Sequence, residues 1–200
     1  MPTFGERIGA VARDERVAQA AGFGWGFAEG VFFFIVPDVY VTFAGLYALR
    51  AGAIAWAASI AGSLVAVCVI YLLVVVLGLD YRSFLERIPG ISVGMTRSVD
   101  AMLSVEGLPY TPWLVTGGIP LKVYAGVAAA NGTGLGALFV WTLFARVVRI
   151  APSFGVVAGA RLLLRRSIDV RPGLWFALWA VVWIVFYAFY FAAMSRRTWL

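Results

Sequence analysis

The chain has no histidine and a single cysteine, Cys68. Without histidine there is no Ser-His-Asp triad, no haem ligation by imidazole and no ordinary zinc site. One cysteine excludes an internal disulfide. No GxxxxGK[ST] run is present, which excludes nucleotide hydrolysis at a Walker-type loop. Charge is scarce, at 13% of 200 residues, and of the 16 basic residues Lys122 alone is a lysine. Any chemistry here runs on carboxylates, arginines and that lysine. No catalytic residue, metal set or cofactor site stands out, so an enzyme is not expected.

Apolar residues are abundant, at 62%. Ala51 to Leu79 and Pro172 to Met194 carry no charge, and each exceeds the about 20 residues needed to cross a bilayer. A soluble domain of this length has no core that hides both. We expect an all-α integral membrane protein, one domain over residues 1–200. The net charge of +6 does not point to nucleic acid, because the arginines gather at segment ends, where they set orientation and meet anionic lipid. Their distribution favours a cytoplasmic N-terminus, with Arg7, Arg13, Arg16, Arg50 and the Arg161–Arg171 cluster inside. The first twenty residues are polar, with no small-x-small cleavage site after them, unlike a signal peptide.

Residues 1–20 read as an interfacial amphipathic helix opened by a Thr3/Glu6 capping box, with Phe4, Ile8, Val11 and Ala12 on one face. A solvated tail is the alternative. Residues 21–50 form two half-helices around Pro37, loosened by Gly22, Gly24, Gly26 and Gly30. Residues 51–79 are a span, and 80–107 are interfacial helices. Residues 108–133 repeat the first design around Pro120. Spans follow at 134–152 and 172–194. Hairpin plus span, twice, with one crossing between them, gives two inverted-topology units, each with a re-entrant hairpin, and a last transmembrane helix. A kinked single span is the alternative for each hairpin.

The two broken segments carry opposite charges. The first, Ala21 to Leu49, contains Glu29 and Asp38 and no base; the second, Leu108 through the helix ending near Pro152, contains Lys122, Arg146 and Arg149 and no acid. Ionisable groups in hydrocarbon cost a few kcal/mol each, so a shared polar site is the natural reading. Glu29 either carries a proton or pairs with a cation of the second unit. Asp38 is placed to cap the second half-helix. Arg146 and Arg149, three apart, share a helix face, and their forks match phosphate oxygens. Lys122 is the third cation. The plain alternatives are pairing of the arginines with Glu29 or Asp38 and a Lys122 that snorkels to the surface.

Phe27-Ala28-Glu29-Gly30 with Val36-Pro37-Asp38 resembles the first signature of the DedA (VTT, SNARE-associated) membrane proteins. Ile119-Pro120-Leu121-Lys122-Val123-Tyr124-Ala125-Gly126 and Phe144-Ala145-Arg146-Val147-Val148-Arg149 resemble the second, and the proline-lysine form is most similar to the YqaA-like branch. The resemblance covers about Gly22 to Phe154. It implies facing re-entrant hairpins and translocation of a lipid phosphate, such as undecaprenyl phosphate, or of phospholipid in a bacterial cytoplasmic membrane, coupled to protons. It implies essential roles for Glu29, Asp38, Arg146 and Arg149. The expected partners are membrane lipids and protons; an oligomer is left open. The rival functions are a proton-coupled solute or cation antiporter and a non-transporting scaffold.

Overall fold

The computed structural model describes residues 3–109 and 119–196, which form nine α-helices and no strand. Helix α1 (Phe4–Arg13) opens with both halves of the capping box: the Glu6 N–H donates to Thr3 Oγ1 at 3.3 Å and the Thr3 N–H to the Glu6 carboxylate at 2.6 Å. The expected 1–20 helix is in fact two. Asp14 ends α1 and caps α2 (Glu15–Val31) by accepting from the Arg16 and Val17 amides. The buried face of α1 is Gly5, against Gly173 at the start of the last helix, with Gly9 and Ala12 near Tyr47, while Phe4 and Val11 are exposed.

The glycines expected to loosen α2 instead pack it. Gly22, Gly26 and Gly30 fall four apart on one face, laid on α4 (Leu49–Tyr71). A Cβ on Gly26 would sit 2.0 Å from the Ser59 carbonyl oxygen, and one on Gly22 2.5 Å from that of Ala55. Membrane helices gain from such close approach because lipid supplies no hydrophobic drive between them. Ser63 Oγ donates across the seam to the Gly26 carbonyl at 3.2 Å. The pairing runs Gly22 to Ala55, then Gly26 to Ser59, so α2 and α4 are parallel, and Glu15 meets Arg50 near their shared start.

The chain leaves α2 at Phe32 and enters α3 (Asp38–Tyr47) after Pro37. Helix α3 returns toward the start of α4, where the Tyr47 hydroxyl donates to the Pro172 carbonyl at 2.8 Å. Helix α4 runs on through a π turn at Leu72–Val76 to the opposite end. That end holds α5 (Tyr81–Leu85) and α6 (Val93–Glu106). Residues 110–118, with Pro112, Gly117 and Gly118 of the second expected hairpin, lie outside the described residues, as does Arg197. Helix α7 (Leu121–Ala130) follows Pro120 and leads through a turn at Asn131–Gly132 into α8 (Leu135–Val170); α9 (Pro172–Arg196) ends the described chain.

Exposed ion pairs gather at the two ends. Asn131 donates to Asp100 at 2.9 Å and Arg82 pairs with it at 3.0 Å. These two hold the Asp100 carboxyl below its ordinary range, Asn131 contributing most. At the other end Arg13 and Arg161 share Asp169, at 2.8 and 2.9 Å.

Helix α8 corrects a second boundary. The span expected to end at 152 continues through Pro152 for 36 residues, and its non-helical residue is Leu164, at φ −112° and ψ 16°. At about 1.5 Å per residue the part before the kink at Leu164 is about 44 Å long, beyond a hydrocarbon core of about 30 Å. Its last turns therefore project past the apolar layer and carry the Arg161–Arg166 cluster. Three helices, Leu49–Val76, Leu135–Val170 and Pro172–Arg196, are long and apolar enough to cross a membrane.

The seam makes a direct prediction. Gly26→Ala should lower stability in detergent by about 1–3 kcal/mol through overpacking. Gly24→Ala, where nothing lies within 4 Å, should hold or raise the midpoint. Thermal unfolding of both variants checks this, and equal midpoints would reject the seam.

Candidate functional site

Glu29 sits in the last turn of α2, one residue before the seam glycine Gly30, so the α2–α4 contact fixes its depth. Lys122 is the second residue of α7, carried inward by the Pro120 start. Arg146 lies in the middle of the apolar part of α8. The three side chains meet, with relative exposures of 2%, 1% and 0%. The Arg146 guanidinium donates directly to Glu29 Oε2, and Lys122 Nζ lies 3.6 Å from Oε1. One carboxylate faces two cations, and the cluster carries a formal surplus of one positive charge.

Lys122 has a second task. Its ammonium donates to the Phe33 carbonyl at 2.7 Å, inside the non-helical stretch between α2 and α3. That stretch is held by three further side chains. The Tyr81 hydroxyl donates to the Val31 carbonyl at 3.2 Å, and Trp25 Nε1 to the Ile35 carbonyl at 2.9 Å. The Val36 amide donates to the Tyr187 hydroxyl at 2.7 Å. Irregular backbone at membrane depth needs such partners, because no water there can replace them. Tyr81 reaches Val31 by lying flat on Gly126, where a Cβ would fall 2.2 Å from its ring.

Asp38 is not the cap that its position after proline suggested. Pro37 occupies the N-cap position and Asp38 is already helical, with no side-chain capping bond. Its Oδ1 instead accepts from Ser153 Oγ at 2.7 Å, and its buried Oδ2 has no partner among the described residues. A carboxylate in the first turn still gains from the helix dipole. Arg149 is half-buried on the Arg146 side of α8 and makes no hydrogen bond or ion pair among the described residues. Arg146 itself keeps two buried donors, Nε and Nη1, without a partner there.

Glu29, Lys122 and Arg146 are thus brought into contact. Asp38 joins through Ser153, seven residues along the helix of Arg146, and Arg149 stands beside them unpaired. Pro37 and Pro120 each immediately precede a ten-residue helix, α3 and α7. Ser153, Tyr81, Trp25 and Tyr187 were not foreseen. Only Ser153 carried a signal, the i, i+3, i+7 spacing from Arg146. Among the described residues no three metal-ligating side chains cluster. Comparison with family models, with curated proteins and with solved structures gives no match.

The charge arithmetic ranks two substitutions. Glu29→Gln leaves two buried cations uncompensated and should cost about 3–5 kcal/mol. Lys122→Met leaves a neutral Glu29–Arg146 pair and an unbonded Phe33 carbonyl, at about 1–3 kcal/mol. Unfolding midpoints in one detergent should therefore fall further for Glu29→Gln; the reverse order would reject the shared carboxylate.

Proposed function

We propose that this chain is a membrane transporter related to the DedA family, YqaA-like branch, and that it moves a lipid phosphate across the bilayer with proton coupling. The observation that carries the reading is Arg146: a fully buried guanidinium, charge-paired on one side, with two donors unpartnered among the described residues. Such a group favours an anion with several acceptor oxygens, and phosphate is the closest chemical match. Lys122 and Arg149 add to the same positive field.

The proposal includes an inverted pair of units. Helices α3 and α7 are each ten residues long, and each follows a proline break. They run outward to opposite ends of the molecule and pass by a short connection into α4 and α8. Both helix N-termini point toward the charged cluster, a further source of positive potential. In this reading 21–50 and 108–133 are re-entrant hairpins, and the Arg-rich end with α1 faces the cytoplasm of a bacterial inner membrane. Phosphate and Glu29 compete for Arg146. A displaced Glu29 takes up a proton, and Asp38 supplies a second acceptor. Because a ligand shifts a two-state equilibrium only by differential binding, this exchange of partners couples phosphate arrival to the change of access. The charge pairing seen at Glu29 also favours one rival, a scaffold whose charges only fix helix positions.

The test uses proteoliposomes containing a fluorescent lipid phosphate and a pH gradient. Wild type should move the lipid. Glu29→Gln and Arg146→Ala should slow it about tenfold or more, the loss expected for a charge-assisted contact of about 1.5–3 kcal/mol. Wild-type rates in both variants would remove the proposed site. Proton or cation flux without lipid movement would replace this function with the antiporter, and no flux from folded protein would leave the scaffold.

A further inference from the structure

A cavity of about 340 Å³ lies between α3, α8 and α9. Apart from indole N–H groups, Thr42 and Ser153 supply its polar side-chain atoms, and both are committed. Ser153 donates to Asp38 at 2.7 Å. Thr42 donates to the Asp38 carbonyl and receives the indole N–H groups of Trp179 and Trp183, at 3.1 Å each. With its hydroxyls engaged, the cavity offers water few partners, so it is dry and suited to hydrocarbon. It is open toward the bilayer: α9 buries none of its residues, and the lining residues Val156 and Val182 are 74% and 65% exposed.

One end of this groove adjoins the charged site. Ser153 stands one turn from Arg149 on α8, and Trp183 one turn from Tyr187 on α9. Tyr187 lies within electrostatic reach of Arg149, Asp38 and Glu29. Arg149, half-buried, makes no ion pair with Glu29 and no hydrogen bond among the described residues, so its guanidinium keeps donors for an incoming anion. We propose that the groove holds one hydrocarbon chain of a phosphate-headed lipid, with the phosphate on Arg149, three residues from Arg146 on the same helix. The volume is at the small end of ligand cavities, about 300–1,000 Å³, and admits part of one chain rather than two. This rests on the lipid-phosphate reading and adds to it the path and number of the tails.

The test is photolabelling of the full chain in phosphatidylcholine nanodiscs with a hexadecyl phosphate bearing a mid-chain diazirine, mapped by peptide mass spectrometry. Label should concentrate on the segments 153–157 and 178–183. Val182→Trp, which fills the groove from an exposed position, and Arg149→Gln should each cut it about tenfold. The matching diazirine alcohol should label the same segments about tenfold less. If Val182→Trp fails to elute as folded protein, Val156→Trp fills the groove from the opposite wall. Even labelling over the outer face of α9, equal labelling by the alcohol, or no effect of the filling variant would overturn the proposal. Labelling does not require transport. Groove labelling without lipid movement in liposomes upholds the groove and removes the transport reading. Movement without groove labelling does the reverse.

Discussion

The carboxylate of Glu29, shared between Arg146 and Lys122, is the contact on which the rest of this structure depends. It joins three helices, α2, α7 and α8, that have little else polar in common at that depth. Each of the three charges would be costly alone in an apolar interior, and removing one partner strands the others. Their positions are therefore mutually enforced. Lys122 extends the constraint to the backbone, because the same ammonium holds the Phe33 carbonyl in the break between α2 and α3.

Packing supplies the precision that charge alone lacks. Ion pairs tolerate shifts of an ångström; a glycine seam does not. Gly22, Gly26 and Gly30 set the height of α2 on α4, and Glu29 is carried on that last turn. Gly126 does the same for the other side by admitting the Tyr81 ring, whose hydroxyl closes the Val31 carbonyl. The break thus has partners from α2, α5, α7 and α9. A stretch of chain that could not stand alone in lipid is thereby supplied with hydrogen-bond partners.

The sequence made the charged residues legible because ionisable groups in apolar segments are few and expensive. Glu29, Arg146 and the lone lysine stood out for that reason, and they meet. Helical character and the three long apolar helices were also readable, since length and hydropathy decide them locally. Other features needed three dimensions. The four-residue glycine spacing was visible, yet glycine weakens an isolated helix, and only the partner helix turns that weakness into close contact. Asp38 suits a cap by type, but Pro37 already takes that position and the helix starts around it. Pro152 read as an end because proline removes one helical hydrogen bond, whereas α8 continues past it and departs from helical angles at Leu164. The clamps from Tyr81, Trp25 and Tyr187 join residues from 10 to 151 positions apart, as Trp25 to Ile35 and Tyr187 to Val36 show. No local pattern encodes such pairs.

The cluster is unevenly satisfied, and the unevenness has a direction. Among the described residues Arg146 spends one nitrogen on Glu29 and leaves two buried donors idle, while Asp38 leaves one oxygen idle. An unmade buried hydrogen bond costs about 1–3 kcal/mol, so an arrangement built only to pair helices would gain by satisfying these atoms. A scaffold does not need the idle donors. A site that exchanges its own carboxylate for a guest's oxygens would need spare donors to receive the guest and a carboxylate able to hold the cations until it arrives. In the proposed transporter, the surplus of one positive charge at Glu29, Lys122 and Arg146 would set the sign of the guest, and the groove ending near Arg149 would take its tail.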